Sequence, residues 1–243
     1  MCKLKSAIIL KDKIFMPDYD SHSKMLEELK ITDDYFNASK VFVRAELTPE
    51  NGDAFSDIDG WKFSVDQDIT PEWFDEKDCT ERMRKAVKEW AKTHIFIGQN
   101  ALKISHGENI FIKDCEDVDI CGNATVKYIY GNATVESIYG NATVNNICGN
   151  TTVEYIYDKA TVEYIYDKAT VEYIYDKATV KSIYGDATVK NICGDATVIS
   201  SSYSKWNNSA SLIIAGNATF KDCYSRTIYQ AGGWEFVEVK NNK

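Results

Sequence analysis

An α+β N-terminal domain followed by a β-solenoid (β-helix) with about 18 residues per coil and a C-terminal β cap is the fold this chain predicts. Three observations carry that reading. A nine-residue phrase, Gly-Asn-Ala-Thr-Val-x-x-Ile-Tyr, recurs without insertion from Gly122 to Ser202, and a fixed period is the mark of stacked repeats. Within the phrase only Ala, Val and Ile are consistently apolar and small or branched, which suits a narrow interior. The residues before the array carry no such period and switch between strand-like and helix-like patterns. The expected boundaries are 1–103 for the head, 104–121 for a transition with a first atypical rung, 122–202 for the array and 203–243 for the cap.

In the head, Ser6–Leu10 and Lys13–Met16 read as a hairpin turned at Lys11-Asp12 and closed by Pro17. Ser21 or Ser23 caps a short helix through Met25, Leu26 and Leu29. Lys40–Leu47 alternates as a strand, Pro49–Asp53 is a turn, and Trp61–Val65 alternates again. Thr80–His94 is the best helix, with Met83, Ala86, Val87, Trp90 and Ala91 on one stripe. Towards the rod, Lys113–Cys121 matches the phrase only at Ile120 and Cys121, as a terminal rung should.

Inside the array, alternation turns Ala and Val inward and Thr outward. Keeping Ile inward as well requires a bend at the two variable positions, so each repeat is expected to supply two very short strands. The second corner falls at Gly-Asn, Asp-Lys or Gly-Asp, residues suited to turns. A nine-residue coil is too tight to hold these side chains, whereas two repeats per coil give a four-cornered or flattened solenoid. At ~4.8 Å per rung, about four and a half coils would rise roughly 20 Å. Outward positions then form ladders: Thr125, Thr134, Thr143, Thr152, Thr161, Thr170, Thr179, Thr188 and Thr197, and Tyr130, Tyr139, Tyr157, Tyr166, Tyr175 and Tyr184. Cys148 and Cys193 take the tyrosine position and read as packing groups. After Val198 the phrase degrades, returns once at Gly216–Phe220, and ends in Thr227–Tyr229 and Trp234–Val239 around Ala231-Gly-Gly, which reads as a capping hairpin.

Charge narrows the function classes. The chain carries 28 Lys+Arg against 37 Asp+Glu, a net of -9, and most of the excess acidity lies before residue 121. That is the wrong sign for a direct nucleic-acid ligand, which needs a basic footprint. No apolar run approaches a membrane span. The stretch Ala7–Leu10 is too short for a signal core, and the seven cysteines suggest free thiols, so a cytoplasmic location is expected.

Few motifs carry chemistry. Asp18, Asp20 and His22 place three metal-ligand types at alternating positions, against the plainer reading of a polar loop ending in a helix cap. Asp66 and Asp68 are a possible carboxylate pair, while His94 and His106 lie elsewhere. The Asn-x-Thr triplets at Asn123, Asn132, Asn141, Asn150 and Asn217 follow from turn chemistry. A single Thr rank per phrase falls short of the paired ranks that an ice-binding face uses. The phrase also lacks the Gly and Asp pattern of calcium-binding nonapeptides. No Walker loop, dinucleotide fingerprint, nucleophile elbow or zinc quartet occurs, so no catalytic residue and no cofactor is expected.

Four head stretches, Asp18–His22, Phe42–Leu47, Trp61–Asp68 and Ala86–His94, together with the Gly-Asn-Ala-Thr-Val array, resemble uncharacterised phage and gut-bacterial proteins in which such a domain precedes nonapeptide repeats. The rod has a more distant resemblance to pentapeptide-repeat β-helices, whose repeat is five residues with an inward Leu or Phe. The resemblance implies a mobile-element origin and brings no catalytic residues. The expectation is a non-enzymatic binding or scaffold protein that meets a protein partner in the host, with self-association through solenoid faces or ends. Two alternatives stand beside it: a DNA-mimic inhibitor of a DNA-binding enzyme, and a head enzyme with the rod as spacer.

Overall fold

The structure, a computed structural model, describes residues 5–200 and the segments 212–214, 219–222, 228–230 and 235–237. It divides into two compact units, residues 1–95 and 96–243.

The head begins with the expected hairpin. β1 (Lys5–Leu10) and β2 (Ile14–Phe15) pair antiparallel with Ile8 opposite Phe15, and Leu10 N–H donates to Lys13 O across the turn. β3 (Phe42–Thr48) and β4 (Lys62–Val65) complete an antiparallel sheet of order β2-β1-β3-β4. Period-two alternation sorts its faces. Ile8 and Phe42 pack with Met25 and Leu26 of α1 (His22–Glu28). Lys5, out of phase with Ile8, instead sets its ammonium 5.0 Å from the Trp90 ring of α3 (Glu76–His94).

Side-chain caps set the helix starts. Ser21 caps α1 by accepting Lys24 N–H. The strand expected over Lys40–Leu47 forms as β3 but starts at Phe42, because α2 (Tyr35–Lys40), capped where Asp34 accepts Asn37 N–H at 2.8 Å, runs through Lys40. Likewise Asp75 accepts Asp78 N–H and starts α3 at Glu76 rather than Thr80. The buried stripe of α3 is Cys79, Met83, Val87, Trp90 and His94.

In the rod each repeat contributes one strand, not two. The strands begin with β5 (Ile95–Ile97), β6 (Asn100–Ile104), β7 (Ile110–Lys113) and β8 (Glu116–Ile120). The array supplies β9 (Thr125–Tyr130), β10 (Thr134–Ile138), β11 (Thr143–Ile147), β12 (Thr152–Ile156), β13 (Thr161–Ile165), β14 (Thr170–Ile174), β15 (Thr179–Val180), β16 (Thr188–Ile192) and β17 (Thr197–Ser200). The expected corner inside the repeat is a kink. In the pairing of β11 with β13, Thr143, Val144, Asn146 and Ile147 face Thr161, Val162, Tyr164 and Ile165, while Asn145 has no counterpart in the register. Skipping one residue brings Val and Ile, three apart, to the same face of a strand that otherwise alternates.

Alternate repeats enter different sheets. β6, β8, β10, β12, β14 and β16 stack in parallel in one, and β7, β9, β11, β13, β15 and β17 in the other. Thr125 faces Thr143 and Thr143 faces Thr161, an offset of 18 residues, so a coil is two repeats as expected. The rod extends beyond the array at both ends. Upstream, Leu102 faces Val118 and Ile104 faces Ile120, a tighter offset of 16. Downstream, β18 (Leu212–Ile214) and β19 (Thr219–Asp222) add a parallel strand to each sheet.

The cap differs from the expected hairpin. β20 (Ile228–Gln230) pairs antiparallel with β19, and β21 (Glu235–Val237) pairs antiparallel with β18. The two last segments therefore end different sheets instead of pairing with one another, and each blocks one open edge. The turn read at Ala231-Gly-Gly lies outside the described residues.

The rod core is the repeat read in three letters. Ala133, Val135 and Ile138, for example, are 0–2% exposed. The one hydroxyl in an alanine place, Thr151, is fully buried and donates to Cys148 O at 2.6 Å, which removes the cost of an unmet polar group. Corners need a left-handed residue at position one. Gly140 has φ 71° and Asp167 φ 58°, while the following residue has no positive φ. Gly supplies that φ freely, and Asp is among the few side chains that tolerate it.

Candidate functional site

The predicted ladders form. Thr125, Thr143, Thr161, Thr179 and Thr197 pair in register along one sheet, and Thr134, Thr152, Thr170 and Thr188 along the other. At position nine one column reads Cys121, Tyr139, Tyr157, Tyr175, Cys193. Its rings stack at 5.1 Å between centroids, with planes 4° and 0° apart. The other column reads Tyr130, Cys148, Tyr166, Tyr184, and Cys148 interrupts it, leaving Tyr166 stacked on Tyr184 at 4.9 Å. Burial pushes the phenols of Tyr166, Tyr175 and Tyr184 above their ordinary value, and Tyr139 rises first through its hydrogen bond to Cys121.

A second aromatic rank escaped the sequence reading. At position seven Tyr155 stacks on Tyr173 at 5.5 Å and meets Tyr175 edge-on at 6.2 Å. On the opposite sheet Tyr164 meets Tyr184 edge-on at 6.4 Å. The kink is the reason: the sequence places a bend at position seven, whereas the skipped residue returns it to the outward face of the strand. Three of these position-seven rings are exposed, with Tyr128, Tyr164 and Tyr173 at 40%, 44% and 41%. Beside them, position six carries cross-coil ion pairs, Lys181 to Glu163 and Lys190 to Glu172, each 2.5 Å.

The corner acids tie neighbouring coils together. Asp158 Oδ2 accepts Gly140 N–H and Asp167 Oδ2 accepts Gly149 N–H, both at 3.2 Å, each reaching back one coil. Earlier coils hold the same corner with an asparagine ladder, Asn141 to Asn123 at 3.2 Å and Asn150 to Asn132 at 3.0 Å. A groove of about 650 Å³ follows one corner past Asn141, Asp158, Lys159, Asp176 and Lys177. The asparagines proposed as turn-formers thus have a structural use.

In the head, the structure separates the three metal-ligand candidates. Asp18 Oδ1 lies 3.2 Å from His94 Nε2. Asp20 Oδ1 accepts Ser6 N–H at 3.1 Å and faces the buried Lys5 ammonium at 3.4 Å. Lys5 also donates to Pro17 O at 2.6 Å, and burial pulls its pKa down. Only His22 enters a cluster of ligand types, and its companions are Glu46 and Asp66, all with ligand atoms within 4.8 Å of one another. Asp68 is exposed and outside that group, and His106 is exposed beside Ser105. Glu46 carried no sequence signal as a ligand, since it reads as one outward position of an alternating strand.

No family model, no curated protein and no solved structure matches this chain. What the geometry offers is a scaffold with two outward faces of repeated side chains, and one histidine–carboxylate cluster in the head. Among the described residues no helix is long and apolar enough to cross a membrane.

Proposed function

We propose that this chain is a non-enzymatic scaffold whose solenoid faces bind a protein partner. The exposed tyrosines at position seven carry the reading. Tyrosine supplies large, rigid contact area with a polar tip at low entropic cost, which is why it is enriched at protein interfaces. Here exposed Tyr164 and Tyr173 stand on strands whose Val and Ile are fully buried, Tyr155 stacks against Tyr173, and Ser or Asn takes the same place in the flanking coils. The finer reading, a mobile-element protein acting on a host macromolecule, is supported by the near-duplicate rungs: Asp158–Tyr166 and Asp167–Tyr175 agree in all nine letters. Position six weakens the DNA-mimic alternative, because Lys181 and Lys190 neutralise Glu163 and Glu172 where a mimic needs unbroken acid.

The test is a pair of full-length variants. Tyr164→Ser with Tyr173→Ser should keep the circular dichroism spectrum of the parent and lose the partner captured from host extract by the parent. Equal capture by parent and variant would move recognition off the rod. Capture abolished by moderate salt but not by the tyrosine changes would favour the acidic alternative.

A further inference from the structure

We propose that His22, Asp66 and Glu46 form a binding site for a first-row divalent cation, with Zn²⁺ as the preferred ion; this is independent of what the rod binds. The first argument is the histidine tautomer. His22 Nε2 lies 3.2 Å from the backbone oxygen of Ala45. A carbonyl oxygen only accepts, so Nε2 carries the hydrogen and the neutral ring presents its Nδ1 lone pair on the other side. That is the arrangement in which a second contact orients a metal-ligating histidine. Nδ1 points at Asp66 Oδ2, 3.3 Å away. In the neutral ring two acceptors therefore face each other, and a cation between them resolves the contact.

The second argument is spacing. Metal–ligand bonds of about 2.0–2.2 Å at tetrahedral angles place two ligand atoms about 3.3–3.6 Å apart. The observed 3.3 Å between Nδ1 and Oδ2 is such an edge, and the Glu46 oxygen already lies within 4.8 Å of both. One imidazole with two carboxylates suits Zn²⁺ and its first-row neighbours better than the all-oxygen sets of Ca²⁺ or Mg²⁺.

The third argument comes from the sheet. Ser6 faces Glu46 in the β1–β3 register, so the two side chains share the face that α1 covers. Its hydroxyl is buried and has no hydrogen-bond partner among the described residues. A coordinated carboxylate or a metal-bound water is a partner for such a group. His22 and Glu46 are buried while the Asp66 side chain is 62% exposed, so the cluster has a rigid floor and a solvent entry.

Cobalt(II) titration of the full-length chain, followed by visible absorbance and displaced by Zn²⁺, tests the site. The expected result is one saturable site per chain whose spectrum lacks a thiolate charge-transfer band, with affinity lowered about tenfold or more in His22→Ala and Asp66→Asn. Asp66→Asn keeps the shape of a mostly exposed side chain, so it tests ligation if His22→Ala misfolds. Nitrogen-detected NMR of the parent adds a readout needing no variant: Zn²⁺ should shift His22 Nδ1 and leave His106 unmoved. Absence of saturable binding, a thiolate band, or equal affinity in parent and both variants would overturn the proposal and leave a purely structural histidine–carboxylate contact.

Discussion

The head and the rod solve the same problem, burial of apolar surface, with opposite economies of sequence. In the rod three letters suffice, because Ala, Val and Ile meet their own copies 18 residues away. In the head every buried position is unique, and polar groups are part of the interior: Lys5, His22, Glu46 and His94 are all nearly or fully buried. The difference teaches where function can reside. A repeated rung can lose or gain a copy without loss of identity, whereas a group such as His22 has one place and one set of partners.

The sharpest break in this comparison comes from core truncation. Trp61→Ala should cost about 3–5 kcal/mol and loosen the whole head, since Trp61 is 1% exposed and its indole N–H donates to Ser56. Ile165→Ala should cost about 2–5 kcal/mol, with lost hydrogen-exchange protection confined to the coils that flank it. Protection lost equally across the head in the Ile165 variant would show that the two units fold as one.

A smaller effect is expected from removing one coil. In-frame deletion of Asp158–Tyr175 joins Tyr157 to Asp176 in the same corner column, so a cooperative melt should persist at a temperature above that of Trp61→Ala. Collapse of the far-ultraviolet strand signal would mean that particular rungs, not their number, hold the rod.

Smaller still is the corner. Asp167→Ala keeps φ positive at a residue that resists it and should cost about 1–2 kcal/mol; it also frees Gly149 N–H. Asp167→Gly relieves the backbone and should lie close to the parent in urea unfolding. If alanine and glycine behave alike, the side-chain bond rather than the backbone sets the residue.

The smallest contrast is in alkaline response. Tyr166, Tyr175 and Tyr184 have folded pKa values raised above 10.0, so folding holds protons that the unfolded chain has released. Their contribution is complete below pH 10.0 and is lost as pH rises through the folded values. Lys5 works in the other direction: its folded pKa lies below 10.5, so the unfolded chain holds the extra proton and stability rises with pH through that window. Urea melts across this range should show the loss shrinking in Tyr166→Phe, and the gain vanishing in Lys5→Met. An unchanged slope in both would remove burial as the cause.

Much of the rod was legible because its information is local. The period, the inward Ala, Val and Ile, the corner at Gly or Asp and the stacking of Thr and Tyr are all properties of one phrase placed on itself. The kink was only half legible. That Val and Ile share the interior demanded a bend, but whether it became a corner or one skipped residue depended on the neighbouring coil, whose hydrogen bonds hold the strand together. Tyr155, Tyr164 and Tyr173 were lost to view for that reason.

The head was legible at the level of elements, since the Ser21 cap and the strand alternations are written in adjacent residues. Its site was not. Asp18, Asp20 and His22 are neighbours in the chain, yet they turn to His94, Lys5 and Asp66 respectively. Sequence by itself determined a rod of two repeats per coil and an α+β head, because periodicity and caps act over short spans. Only the tertiary structure decided which acid meets which histidine, because those choices are made by strand register and helix packing between residues far apart in the chain.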